Sequence, residues 1–126
     1  MDLFNLENKH IIITGASKGL GSVCAKALAG CHAKLVLMAR TGKDLEAIRM
    51  SLKNPEKHLA IALDLADMGQ LHEGIKRAQE FLEDIDVVLH VVGGGLGLRN
   101  PLLEADDFIK LFTLNVLVAA EINRII

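Results

Sequence analysis

With 126 residues, 51% of them hydrophobic, the chain has room for one domain and enough apolar side chain to fill its core. A formal net charge of −2, with both signs mixed along the chain, argues against a nucleic-acid or membrane-surface partner. No apolar run reaches the ~18 residues of a membrane span, and the opening Met1-Asp2-Leu3-Phe4-Asn5 lacks the basic and then apolar stretches of a secretory signal, so a cytoplasmic protein is expected.

Four short apolar runs recur about every 25 residues, too dissimilar for a solenoid repeat. They are Ile11-Ile12-Ile13, Leu35-Val36-Leu37-Met38, Leu59 to Leu63 and Val87 to Val92. Continuous rather than alternating runs suit strands buried on both faces. Helical spacing follows each run. Leu20, Val23, Cys24, Ala27, Leu28 and Cys31 mark the first helix, and Leu45, Ile48 and Leu52 mark a second that ends before Asn54-Pro55. A third helix is expected from Asp67 to about Glu83, with Asp67 and Gln70 as a capping box, and a fourth from near Asp106 to the end. Its apolar stripe holds Phe108, Leu111, Phe112, Ala119 and Ile122, with Asn115 on the same stripe. The cysteines, Cys24 and Cys31, would stand two turns or about 10 Å apart on one helix, too far for a disulfide, and they lack metal-ligand spacing, so no metal is expected.

Strictly alternating strands and helices predict an α/β fold: a Rossmann-type, doubly wound parallel sheet in the order 3-2-1-4. The first strand runs into Thr14-Gly15-Ala16-Ser17-Lys18-Gly19-Leu20-Gly21, and a helix follows. Gly15 permits the tight turn, Gly19 permits backbone to approach a pyrophosphate, and Gly21 permits the helix to pack closely on the sheet. The helix N-terminus offers unpaired N–H groups and a partial positive charge to phosphate. The alternative is a tight strand-to-helix turn with no ligand.

The motif T-G-x-x-x-G-x-G at the first strand-to-helix turn resembles the cofactor signature of the short-chain dehydrogenase/reductase family. The resemblance covers the whole chain but only the front half of that family's usual domain. The second strand ends at Ala39-Arg40-Thr41, where NAD-selective sites carry an acidic residue on the ribose 2′-OH. Arg40 there would pair with a 2′-phosphate, and Lys18 adds a second positive charge. In the family this pairing implies NADP(H); the alternative is two solvated surface cations.

The resemblance further implies that Asp64 and Leu65 flank the adenine, unless Asp64 only caps the following turn. The family's Asn-Asn-Ala-Gly after the fourth strand is His90-Val91-Val92-Gly93 here, followed by Gly94 and Gly95. Two amide side chains are thus replaced, while the glycine that approaches the ribose is kept. His90 reads as a core or supporting histidine rather than a catalytic one, and the glycine run as a cofactor-facing segment or a flexible loop. Asn115 matches the Asn of the family's catalytic tetrad, whose backbone binds a water in a proton relay; the alternative is a structural Asn. The candidate cofactor-binding set is Gly15, Ser17, Lys18, Gly19, Leu20, Gly21, Arg40, Thr41, Asp64, Leu65, Gly93 and Gly94, with Asn115 the candidate catalytic residue.

The family's acid is a Tyr with a Lys four residues on, and this chain contains no Tyr. The resemblance therefore implies an NADP(H)-dependent oxidoreductase acting on a carbonyl or alcohol, represented by its cofactor half, with the Tyr and Lys beyond Ile126. The apolar ending Ile125-Ile126 reads the same way, as a chain that once continued. A non-catalytic dinucleotide-binding module or an inactive fragment is the other reading. The fourth strand would be an exposed edge and the last helix would lack neighbours, so the stretch is expected to be unstable alone or oligomeric; in the family this helix commonly contributes to subunit packing, which implies a homo-oligomer.

Overall fold

The computed structural model describes residues 4–126; Met1, Asp2 and Leu3, part of the opening segment read for a targeting signal, lie outside the described residues. Strands β1 (His10–Thr14), β2 (Lys34–Ala39), β3 (Leu59–Ala62) and β4 (Val87–His90) form one sheet in the order β3-β2-β1-β4. All pairings are parallel: Ile12 faces Val36 on one side and Val88 on the other, and Val36 faces Leu59. The expected doubly wound parallel sheet and its 3-2-1-4 order are both present.

The continuous apolar runs have a direct cause. Ile11, Ile13, Leu35, Leu37 and Ala39 point to one face of the sheet, where Ala25 and Ala29 of α1 (Gly19–Gly30) and Leu45 of α2 (Gly42–Ser51) cover them. Ile12, Val36, Met38 and Ile61 point to the other, under Leu71, Ile75, Ala78 and Leu82 of α3 (Met68–Leu82) and Val118 and Ile122 of α5 (Val118–Ile125). The central strands β1 and β2 therefore alternate between two dry layers, and neither face needs a polar residue. β4 is an edge, with Val87 46% exposed. No helix among the described residues is long and apolar enough to cross a membrane.

Three details differ from the sequence expectation. The buried face of α1 is Gly21, Ala25 and Ala29, while Leu20 and Val23 are exposed. Small residues at i, i+4 and i+8 let the helix axis lie close to the sheet, and that geometry overrides the pull of the larger apolar side chains. The stripe of the last helix is also only half buried: Phe108 and Phe112 are exposed, and Val118 and Ile122 carry the packing. Finally, His90 is not a core residue; it is exposed, with Nε2 2.8 Å from Asn123 Oδ1.

The last helix is interrupted. A π segment, Thr113–Leu117, joins α4 (Ala105–Phe112) to α5, and Asn115 sits at its centre. Such segments insert about one extra residue into an α-helix and occur often at functional sites.

The turns carry their own chemistry. Asp67 caps α3 as expected, its Oδ1 accepting from Gln70 N at 3.1 Å. The reciprocal half of the box differs, because Gln70 Oε1 accepts from the backbone of Asp64 at 2.9 Å rather than from Asp67. After α2, a 3-10 turn at Pro55–Lys57 delivers buried His58 between β2 and β3. Its Nδ1 accepts from Leu35 N at 3.2 Å and its Nε2 donates to Lys53 O at 2.9 Å. Burial holds the imidazole below its ordinary pKa of 6.5, in agreement with a neutral ring that accepts at one nitrogen and donates at the other. Cys24 and Cys31 are both free thiols.

Candidate functional site

The C-terminal ends of β1, β2, β3 and β4 converge on one cleft of about 780 Å3. Neighbouring strands leave the sheet toward helices on opposite faces where the order reverses between β1 and β4, and a crevice opens at that point. Gly15, Ser17, Lys18, Gly19 and Leu20 line it from the first loop, Arg40 and Thr41 from the end of β2, Asp64 and Leu65 from the end of β3, and Gly93 from the end of β4. Gly21, Gly94 and Asn115 do not line it; they lie behind these segments and shape them. Sequence reasoning missed the wall supplied by Ile109, Lys110, Thr113 and Leu114, because nothing in their local pattern shows that the last helix turns this face to the strand ends.

The glycines of the loop have separate tasks. At Gly21 a Cβ would lie 2.0 Å from the carbonyl oxygen of Gly15, so the first turn of α1 packs directly on the loop. Gly15 has φ +67°, and a Cβ there would meet Val92 N at 3.0 Å. Gly19 has φ +51° and open space where a side chain would stand, leaving its backbone accessible from the cleft. The first turn of α1 contains no acidic side chain, and its N-cap, Lys18, makes no side-chain capping bond. The first turn of α1 therefore lacks a capping side chain, and its start at Gly19 and Leu20 borders the cleft, an arrangement suited to a phosphate.

Thr14, fully buried at the end of β1, was not singled out in the sequence as a site-shaping residue. Its Oγ1 accepts from Val91 N at 3.1 Å and Val92 N at 3.2 Å and lies 3.5 Å from Leu89 O. One hydroxyl thus satisfies the backbone where β4 leaves the sheet. This is where His90 and Val91 stand in place of the two amides of the resemblance.

The polar rim is uneven. Lys18 and Arg40 are both exposed, and neither forms an ion pair among the described residues. Asp64 is less free than expected: its Oδ1 accepts from Ala66 N at 3.0 Å in a local turn, so only its other oxygen is without a hydrogen bond among the described residues. Leu65 is buried against α3 while still lining the cleft.

Asn115 is exposed as a residue, contrary to the expected buried stripe, yet its amide is fully used. Oδ1 accepts from Gly94 N at 2.9 Å, and Nδ2 donates to Gly94 O at 2.8 Å and Leu111 O at 2.9 Å. The glycines after β4 answer to this amide: a Cβ on Gly93 would lie 2.8 Å from Asn115 Oδ1, and Gly94 has φ +129°.

The profile of the short chain dehydrogenase family matches residues 9–124. This chain belongs to that family. Over 122 residues it is 30% identical to the ketoacyl reductase HetN of Nostoc, covering 96% of this chain and 42% of the relative. It is 32% identical to an NADP-dependent 3-hydroxy acid dehydrogenase of Schizosaccharomyces pombe, covering 94% of this chain and 48% of the relative. Among solved structures, a 3-ketoacyl-(acyl-carrier-protein) reductase from Brucella melitensis, complexed with NADH, superposes with a TM-score of 0.83 at 25% identity, over 95% of this chain and 49% of that one. The chain thus spans about half the length of the short-chain dehydrogenases it matches. The family is one of oxidoreductases that use nicotinamide dinucleotides.

Proposed function

We propose that this chain is the NADP(H)-binding half of a short-chain oxidoreductase that moves a hydride to or from a carbonyl or alcohol substrate. The observation that carries the choice of cofactor is the pair Lys18 and Arg40, two exposed cations on one cleft with no carboxylate pairing either among the described residues. An acidic residue after β2 would repel a 2′-phosphate; a guanidinium pairs with it through two parallel hydrogen bonds.

In this reading the first-turn N–H groups of α1 and the backbone at Gly19 hold the pyrophosphate. Arg40 and Lys18 hold the 2′-phosphate, with Thr41 beside them, and Ser17 and Leu20 border the phosphates. Leu65 and the second oxygen of Asp64 face the adenine. Asn115 keeps Gly93 and Gly94 in place at the ribose, and with its amide committed, any contact with reacting groups falls to its backbone carbonyl. The nicotinamide ring, when bound, supplies or accepts the hydride. The proton donor is assigned to residues outside this stretch, which contains no Tyr. That same fact supports a second reading, a dinucleotide-binding module without catalysis.

Calorimetric titration with NADPH and NADH tests the proposal. NADPH is expected to bind more tightly, and Arg40→Asp to weaken NADPH about 10- to 100-fold, the worth of a charged hydrogen-bonded pair, while leaving NADH nearly unchanged. Equal binding of both cofactors by the native protein and the variant would refute the 2′-phosphate reading. Reduction of a carbonyl substrate by the intact protein separates enzyme from binding module, and cytosolic fractionation and sedimentation check the compartment and the homo-oligomer.

A further inference from the structure

Two hydrogen-bonded links join the end of β4 to the last helix: Gly94 to Asn115, and His90 Nε2 to Asn123 Oδ1 at 2.8 Å. Asn115 and Asn123 are eight residues apart. Eight residues of regular α-helix turn through about 800°, roughly 80° beyond two full turns. Two such residues would face different directions. The π segment at Thr113–Leu117 takes up about one extra residue, which brings both amides back to the β4 side. The helix register and the two links are therefore mutually dependent.

We propose that His90 and Asn123 are positioning residues for the cleft: their hydrogen bond fixes the register of α5, and so of the π segment, which holds the Asn115 amide on Gly94. The chain reaches this arrangement with an imidazole where the family resemblance places an amide. With Asn123 Oδ1 accepting, His90 Nε2 is the donor. Removing the bond leaves the helix free to relax toward regular α-geometry, which rotates Asn115 away from Gly94. The segment Gly93–Gly94 then loses its only side-chain tether among the described residues, and the cleft loses a defined wall. The connection to the cofactor rests on the reading of the cleft given above; the connection from His90 to Gly94 does not.

Hydrogen exchange by NMR on the intact protein tests the link without any ligand. In His90→Phe and in Asn123→Leu the Gly94 amide is expected to exchange about fivefold faster relative to the Ile12 amide at the centre of the sheet, the worth of one net hydrogen bond. His90→Gln, which restores a donor of similar reach, is expected to return Gly94 to the native ratio, and NADPH affinity to follow the same order. Unchanged Gly94 exchange in both donor- and acceptor-free variants overturns the proposal, as does an equal acceleration of Ile12, which marks global destabilisation instead. If the native protein binds neither NADPH nor NADH, the cofactor reading fails by itself and the Gly94-to-Ile12 ratio alone decides the link.

Discussion

Gly93 and Asn115 occupy one another's space: a Cβ on the glycine would lie 2.8 Å from the amide oxygen, which instead accepts a hydrogen bond from the next residue, Gly94. Gly93→Ala is thus expected to displace Asn115 and lower stability by about 1–3 kcal/mol, the usual cost of overpacking. Asn115→Leu leaves the Gly94 N–H, the Gly94 carbonyl and the Leu111 carbonyl without their partner and is expected to cost about 1–2 kcal/mol, toward the low end because water reaches the site. Urea denaturation of the two variants measures both, and Gly93→Ala with Asn115→Ala should cost less than the sum, since the second change removes the clash.

Gly21 and Gly19 predict opposite kinds of damage. Alanine at Gly21 drives a methyl into the Gly15 carbonyl at 2.0 Å, so Gly21→Ala is expected to lower thermal stability and abolish dinucleotide binding together. Alanine at Gly19 meets no protein atom but must hold φ +51°, costing about 1–2 kcal/mol. In the proposed cofactor reading its methyl also stands where a pyrophosphate would reach the backbone. Gly19→Ala should therefore remain folded while losing most of its NADPH affinity, a separation that calorimetry and a melting curve read directly.

Thr14→Val keeps the shape and removes the hydroxyl that satisfies Val91 N and Val92 N. Two backbone donors lose their acceptor in a half-buried position, and a loss of about 1–3 kcal/mol is expected. Thr14→Ser keeps the oxygen and should recover most of it. Equal stability of the Val and Ser variants in chemical denaturation would contradict this account.

His58 sets one pH dependence with a definite sign. Burial depresses its pKa in the folded chain below 6.5, so the unfolded chain binds the proton first as pH falls. The contribution is fully present above the unfolded value and is lost progressively as pH drops from there to the folded pKa, below which both states are protonated and the curve flattens. Stability against urea, followed from neutral pH downward, should show this slope in the native protein and not in His58→Gln. Glu121 adds a separate limb: its hydrogen bonds to Arg124 and His72 hold its carboxyl at about 2, so the support that this half-buried carboxylate gives between α3 and α5 fades between its ordinary value and that point.

Most of the architecture was legible in the sequence because its causes are local and repeated. Ile11 to Ile13 and Leu35 to Met38 are apolar at every position, which only a strand covered on both faces requires, and the glycine loop follows one of them directly. What was not legible depends on contacts remote in sequence. The face that α1 buries is set by closeness to the sheet, so Gly21, Ala25 and Ala29 win over Leu20 and Val23. The π segment has no composition of its own, and the partner of its central Asn115 is Gly94, remote in sequence. His58 reads as one more polar loop residue until β2 supplies the N–H of Leu35. The second oxygen of Asp64 and the backbone lock from Gln70 needed the turn geometry itself.

The glycine loop and the segment after β4 are joined at close range. Gly15 lies against Val92, and the Thr14 hydroxyl grips the two residues that begin that segment. These two sides cannot swing apart like a jaw, and any displacement of one carries the other with it. The remaining side is formed by Ile109, Lys110, Thr113 and Leu114 of the last helix. The helix that contains the π segment is itself tied back to Gly94 through Asn115, so all three surfaces that a ligand meets are cross-linked.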